Sequence, residues 1–280
     1  MITLKKNNVT KNKVLVSIAI RAYNTEKYIR ECLDSVINQN VDSFNIEIVI
    51  STDCSTDHTQ SIVNEYKKKY GNLIKDVTPK SNLGGYDSLF YVISKCNGKY
   101  IALCDGDDYW IDNNKLAKQI NFLENNPSYS ATFHNSNILY EIKSKKVYGS
   151  QVRNKDYNSN EIVKKWIVPT SSFVFRAKFK NKFPPKDKFY YDDIVVFLTL
   201  EQYGKIRGFS DNMSVYRKSE QSWTSNMEKS KKIYDIIYMH ICTLNAYFKN
   251  ISKKTIFVLK LKNRILKILF ILRKYINHFK

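Results

Sequence analysis

A chain of 280 residues that is 43% apolar can close a large core, so a disordered protein is excluded and one large domain, or a domain with an appendage, is expected. The formal charge of +20 suits an anionic partner, yet lysine is abundant throughout, and charge alone does not choose between nucleic acid, membrane and neither. Five cysteines, odd in number, without a Cys-x-x-Cys pair and mostly inside apolar segments, suit reduced thiols in a cytosolic protein, and the polar, lysine-rich arm 1–13 does not read as a signal peptide.

Residues 14–20 read as a buried strand, followed by a helix over 25–39 with Tyr28, Ile29, Leu33 and Val36 on one stripe. A strand at 46–51, a helix at 56–70, a strand at 73–77, a helix over 86–96 after Gly84-Gly85, and a strand at 100–104 complete a βαβαβαβ succession. Strands joined through helices lie parallel in one sheet, and their carboxyl ends share an edge where ligands bind. Beyond them come a helix at 115–124 stopped by Asn125-Asn126-Pro127, an alternating strand at 130–140 and a polar segment at 141–165 expected as a loop over the site or a surface excursion. A short strand at 169–175, a helix at 193–203 ending at Gly204, and two strands or a hairpin at 206–216 follow.

From 228 onward the character changes. The stretch 256–279 places Leu261, Ile265, Ile268, Leu269, Leu272, Tyr275, Ile276 and Phe279 on one helical stripe, with Lys260, Asn263, Arg264, Lys267 and Lys274 on the other side. Its charges exclude a membrane span. A basic amphipathic helix of this kind lies in the headgroup plane of an anionic membrane, or docks on its own domain or on a second subunit of a homodimer.

The most informative residues are Asp105-Gly106-Asp107-Asp108, three carboxylates at the end of an apolar strand. Carboxylates so close repel one another, and a hard divalent cation that also grips phosphate relieves the repulsion; the alternative is a polar turn capping the next helix. Arg21-Ala22-Tyr23-Asn24 and Thr52-Asp53-Cys54-Ser55-Thr56-Asp57 leave the same sheet edge. Together the loops form a set suited to a nucleoside diphosphate, with a carboxylate for the base, backbone donors for the ribose and a cation for the phosphates. Ser55 and Asp57 read as helix caps. His58, His134, His240 and His278 show no zinc spacing and read as core or surface residues.

These three segments, with Tyr109-Trp110 after the last, resemble the family 2 glycosyltransferases of the GT-A fold over roughly residues 14–224. The resemblance implies an α/β fold with a mostly parallel, Rossmann-like sheet flanked by helices, and a basic amphipathic helical tail beyond it. It divides the chain into an arm (1–13), a transferase domain (14–227, with a nucleotide-binding half 14–110 and an acceptor half 111–227) and a helical tail (228–280). It implies nucleotide binding by Arg21, Ala22, Tyr23, Asp53, Asn82 and Asp105, with Asp53 in the place of the carboxylate that recognises uracil. The family's usual Asp-Asp-Gly-Ser-Thr-Asp has Thr52 and Cys54 here in place of the first aspartate and the glycine. Mg2+ or Mn2+ is implied on Asp107 and Asp105, stabilising charge on the leaving diphosphate. Tyr190-Tyr191-Asp192-Asp193 resembles the segment with the catalytic aspartate, which makes Asp193 the base for an inverting single displacement. Trp110, Ser171, Ser172 and Asp192 are implied around the sugar and acceptor. Many relatives carry a histidine near Ser219; its absence leaves Arg217 and Lys218 to neutralise phosphate.

The sequence thus predicts an enzyme on the cytoplasmic face of the membrane that moves a sugar from a UDP-sugar to a glycan, expected to be lipid-linked, in bacterial surface polysaccharide assembly. Two rival readings fit the residues less well. A nucleotidyltransferase would want a glycine-rich, basic loop after the first strand, and Arg21-Ala22-Tyr23-Asn24 has no glycine. A nucleic-acid-binding protein would interleave exposed aromatics with lysines, whereas here the aromatics fall mainly on apolar stripes.

Overall fold

A computed structural model of the chain describes residues 13–141, 145–149, 151–165, 168–186, 189–219 and 233–278. Residues 1–12 of the N-terminal arm, the segment 220–232 and the tail side chains from Ile271 onward lie outside what is described. β1 (Val14–Arg21) sends Val16, Ile18 and Ile20 to one side of the sheet and Ala19 to the other, because successive side chains of a strand alternate. Ile48 and Ile50 of β2 (Phe44–Ser51) join the first side, where α1 (Ile29–Ile37) and α2 (Thr59–Tyr70) supply Leu33, Val36, Ile62 and Val63. On the second side α3 (Gly85–Ser94) packs Leu89, Val92 and Ile93 against Ile101 and Leu103 of β4 (Tyr100–Asp105). Burial on both faces is why these strands read as continuous apolar runs.

With β3 (Ile74–Asp76), the strands lie parallel in the order β3-β2-β1-β4, as the βαβαβαβ pattern requires. The register pairs Arg21 with Ser51 on one side and with Asp105 on the other, so the three motif-bearing tips share one edge. The sheet then continues through β9 (Val174–Arg176), β6 (Tyr129–Tyr140), β10 (Lys205–Lys218) and β5 (Tyr109–Trp110), with β9 antiparallel to both its neighbours. α4 (Lys115–Asn125) covers the first face with Leu116, Ile120 and Leu123, and α6 (Asp192–Glu201) the second with Ile194 to Leu198.

Four expectations change. The segment 141–165 is built into the fold: β7 (Lys145–Tyr148) pairs with β6, β8 (Lys155–Tyr157) with β10, and α5 (Ser159–Lys165) buries Ile162 and Val163. Its few apolar residues stand singly or in pairs among polar and charged ones and left no periodicity to read. The strand expected at 169–175 is a 3-10 turn, Thr170–Ser172, followed by β9. The expected hairpin at 206–216 is the single strand β10, bent where its register to β6 shifts between Phe209 and Ser214. The tail is not an appendage. α7 (Ile233–Tyr247) places Ile241 and Leu244 in the same buried cluster as α6, and α8 (Lys253–His278) adds Ile256 and Leu259. Among the described residues no helix is long and apolar enough to cross a membrane.

Candidate active site

The loops beyond β1, β2 and β4 are stitched together before any ligand is considered. Ala22 N–H donates to Ser51 O (2.8 Å), and Gly106 N–H to Arg21 O (2.8 Å). A Cβ at Gly106 would lie 2.7 Å from Cβ of Ala22, so only the smallest side chains fit this crossing. Ala22 is 4% exposed and its amide is already bonded, so its small side chain is what lets the acidic loop approach. Asn24 accepts from Thr56 N–H (2.8 Å), Ser55 Oγ accepts from Asn24 N–H (3.0 Å), and Asp57 accepts from Glu26 N–H (3.0 Å) while capping α2 through Thr59 N–H (2.9 Å). Tyr23, by contrast, is 51% exposed beside these loops.

Asp53 and Cys54 both adopt left-handed backbone, with φ of 47° and 60°. A glycine is the natural occupant at such an angle, which explains the family's glycine at the place of Cys54. The turn directs the buried Asp53 carboxylate at the next loop, where its two oxygens accept from Leu83 N–H (2.8 Å) and Gly84 N–H (3.0 Å). Asn82 returns a bond from Nδ2 to Asp53 O (2.8 Å) and is otherwise exposed. Asp53 therefore fixes the Asn82 loop, and each of its oxygens keeps a second lone pair.

The acids converge from two halves of the chain. Arg21 Nε donates to Asp105 Oδ1 (2.6 Å), its Nη1 donates to Gly85 O (2.9 Å) and pairs with Asp192 at the start of α6. One guanidinium thus ties the tip of β4 to the helix that begins with Asp192 and Asp193, a planar fork matched to two carboxylates. Asp193 is partly buried, accepts the neighbouring Ile194 N–H (2.8 Å), and its carboxyl is pushed up to about 7 by burial and then by Asp192. Asp107 is pushed up to about 6, by burial first and by Asp105 next. Asp108 is buried and held well above the usual carboxylate range by burial and by Asp107 and Asp105.

Arg217 does not await a phosphate, as the sequence suggested. It is buried, its N–H and Nε donate to Asp108 Oδ1 and Asp107 O (3.0 Å each), it pairs with Glu31 and Glu141, and it lies 4.6 Å over the ring of Tyr28. Its work is to hold the acidic loop from behind. Among the described residues no three His, Cys, Asp or Glu side chains form a metal cage. The donor set at Asp105 and Asp107 fits Mg2+ or Mn2+ all the same, because such ions are bound by one or two carboxylates with water and substrate phosphates completing the shell, and the upward push on Asp107 from burial and from Asp105 is what a cation relieves.

Trp110, Ser171 and Ser172 lie beneath the site and do not line it. Trp110 is 4% exposed and donates Nε1–H to Ser171 O (3.0 Å); Ser171 Oγ donates to Ser214 Oγ (3.2 Å), and Ser172 Oγ to Pro169 O (2.6 Å). Together they make a buried polar floor. It rests on a residue that no motif singles out: Lys115, fully buried in the first turn of α4, lies 4.1 Å over the Trp110 ring and donates to Gln119 (2.9 Å), which in turn donates to Ser172 O (2.9 Å). Burial pushes the Lys115 ammonium down to about 7.

The model of the family described as Glycosyl transferase family 2 matches residues 17–184. An uncharacterised protein of Mycobacterium tuberculosis is 31% identical over 231 residues, 79% of this chain; the chain spans 64% of that relative's length. The Escherichia coli UDP-Glc:alpha-D-GlcNAc-diphosphoundecaprenol beta-1,3-glucosyltransferase WfaP is 31% identical over 219 residues, 77% of this chain and 82% of WfaP. Among solved structures, S. aureus TarS 1–349 in complex with UDP-GlcNAc aligns with a TM-score of 0.68 at 22% identity, over 89% of this chain and 72% of that one, a likeness of fold.

Proposed function

Because the chain belongs to glycosyl transferase family 2, we propose that it moves a sugar from a UDP-sugar to a lipid-linked glycan acceptor, with inversion at the anomeric carbon, in surface polysaccharide assembly. The observation that carries this reading is the Arg21 bridge, which sets the acids of β4 against Asp192 and Asp193 across one cleft edge. The name of WfaP, which joins a UDP-sugar with a diphosphoundecaprenol acceptor, and the UDP-GlcNAc held by TarS support the donor and acceptor classes.

In this reading the loop of Asp53 and Asn82 takes the base, and Tyr23 flanks it. Asp105 and Asp107 would hold Mg2+ or Mn2+, which would supply positive charge against the diphosphate. Asp193 accepts the proton of the acceptor hydroxyl while its oxygen bonds to the anomeric carbon and the bond from that carbon to the diphosphate oxygen breaks. A carboxyl held near 7 is suited to this, since a general base works best when its pKa lies near the operating pH. Asp192, engaged by Arg21, positions the helix start and makes no direct sugar contact in this scheme.

The basic amphipathic face of α8 brings the cleft to an anionic membrane surface at the cytoplasmic side. Leu261, Ile265, Ile268 and Leu269 are exposed along it, while Lys262 and Arg264 stand beside them. The test of the reaction is a panel of UDP-, GDP- and dTDP-sugars incubated with the protein with and without Mn2+, following release of the nucleotide. Metal-dependent loss of a UDP-sugar is the expected result; loss of none, or metal-indifferent loss from every donor alike, would sink the assignment.

A further inference from the structure

Phe189, Tyr190 and Tyr191 lead into α6 without regular structure, and a backbone N–H in such a stretch has neither ladder nor helix to receive it. Tyr190 N–H is received by Nδ1 of His240, a fully buried residue of α7, at 3.2 Å. Because an amide only donates, Nδ1 is the unprotonated nitrogen of that ring. Burial drives the ring's pKa down to about 3, so it stays a neutral acceptor at any working pH. The same imidazole meets the ring of Tyr191 with centroids 5.1 Å apart and that of Phe189 at 6.3 Å, and Phe189 is further packed by Tyr247 (5.1 Å) and Tyr86 (5.7 Å). The three residues before Asp192 are thus gripped by one side chain, by hydrogen bond and by ring contact.

We propose that His240 is a positioning residue for the transfer step: it anchors 189–191 from the α7 side while Arg21 anchors Asp192 from the β1 side, and Asp193 is aimed between the two. The inference rests on Asp193 being the base. It explains a feature that packing alone does not, since an aromatic of the same size would fill the space and leave Tyr190 N–H without an acceptor. It also gives the C-terminal helices a part in catalysis, as α7 joins the base-bearing segment to α8.

The test compares H240F, which fills the space without an acceptor, with H240N, whose Oδ1 falls near the position of Nδ1. Hydrogen exchange of peptides covering 189–194 is read alongside steady-state release of UDP from UDP-glucose and UDP-GlcNAc with Mn2+. H240F is expected to exchange faster there, and to lose on the order of 10²-fold in kcat with an unchanged donor KM, as a small misplacement of a reacting group does. H240N is expected to recover slow exchange and most of kcat. Equal losses in both variants, or no change of exchange in H240F, would overturn the proposal and leave His240 as core packing. If H240F does not fold, H240Q, whose amide reaches towards Nε2 and not Nδ1, takes its place, and slow exchange in it would be equally contrary. Should the wild-type protein release UDP from no donor, the functional reading fails, while the exchange comparison still decides the role of His240.

Discussion

At the scale of single residues, the chain keeps several ionisable groups where water would not leave them. Asp193 binds a proton in the folded protein up to a pH of about 7 and in the unfolded chain only up to its ordinary 3.8, so its contribution to stability is complete below the latter value and is lost as pH rises through the former. D193N is therefore predicted to raise Tm most above neutral pH while lowering transfer by 10²-fold or more, the usual order of a general base; melting curves and kcat of the one variant test both. The acid limb of the wild-type kcat profile should fall near 7. Lys115 has the opposite sign. Its folded pKa of about 7 lies below the unfolded 10.5, so the penalty of burying it is full below neutrality and fades as pH climbs between the two values. K115M is expected to raise Tm at about pH 6 to 7 and to lose that advantage by about pH 10; a gain that is flat with pH would show the ammonium is not what is being relieved. Which residues matter was unevenly legible. Asp105-Gly106-Asp107 announced itself because acids and a glycine rarely follow an apolar strand. Lys115, Arg217 and His240 did not, because a lysine at a helix start, an arginine near a strand end and a lone histidine look the same in sequence whether they are solvated or buried.

At the scale of elements, two devices hold the site, and each has its own prediction. The Arg21 bridge joins β1, β4 and α6; truncating it leaves Asp105 and Asp192 partly buried and facing each other. R21A is expected to cost about 2–3 kcal/mol, toward the lower end for a broken buried pair because the side chains retain some solvent, with R21K recovering only part. Denaturant melts check this, and an unchanged midpoint would refute the tie. α8 is divided along its length: Thr255, Ile256, Leu259 and Asn263 face the protein, the last through a bond from Nδ2 to Tyr234 O (2.8 Å), while Phe257, Leu261, Ile265, Ile268 and Leu269 face outward. The described part of the helical stripe read from sequence, Leu261, Ile265, Ile268 and Leu269, is thus on the exposed face, and the periodicity could not tell which side would find a partner. Replacing Leu261, Ile265 and Leu269 by glutamine should leave Tm unchanged and abolish co-sedimentation with anionic vesicles. Persistent vesicle binding would count against this face as the contact.

At the scale of the whole molecule, the parallel half of the sheet was readable because both faces of β1, β2 and β4 are buried and each crossover helix carries its own apolar stripe. In the second half the strand β6 was readable but the pairing was not, since β9 and β10 run across it as partners to strands distant in sequence, and such pairings leave no local period. The site lies where the two halves meet, so motif spacing could announce the acids at the strand tips, whereas the burial of Trp110, Ser171 and Ser172 depends on pairings between segments distant in sequence. The most direct measurement of the central claim is a calorimetric titration of UDP into the protein with and without Mn2+, repeated with D107N and D193N. Binding that requires the metal, is lost in D107N and is kept in D193N is the predicted result. UDP affinity indifferent to both Mn2+ and D107N would contradict a diphosphate held at the tip of β4.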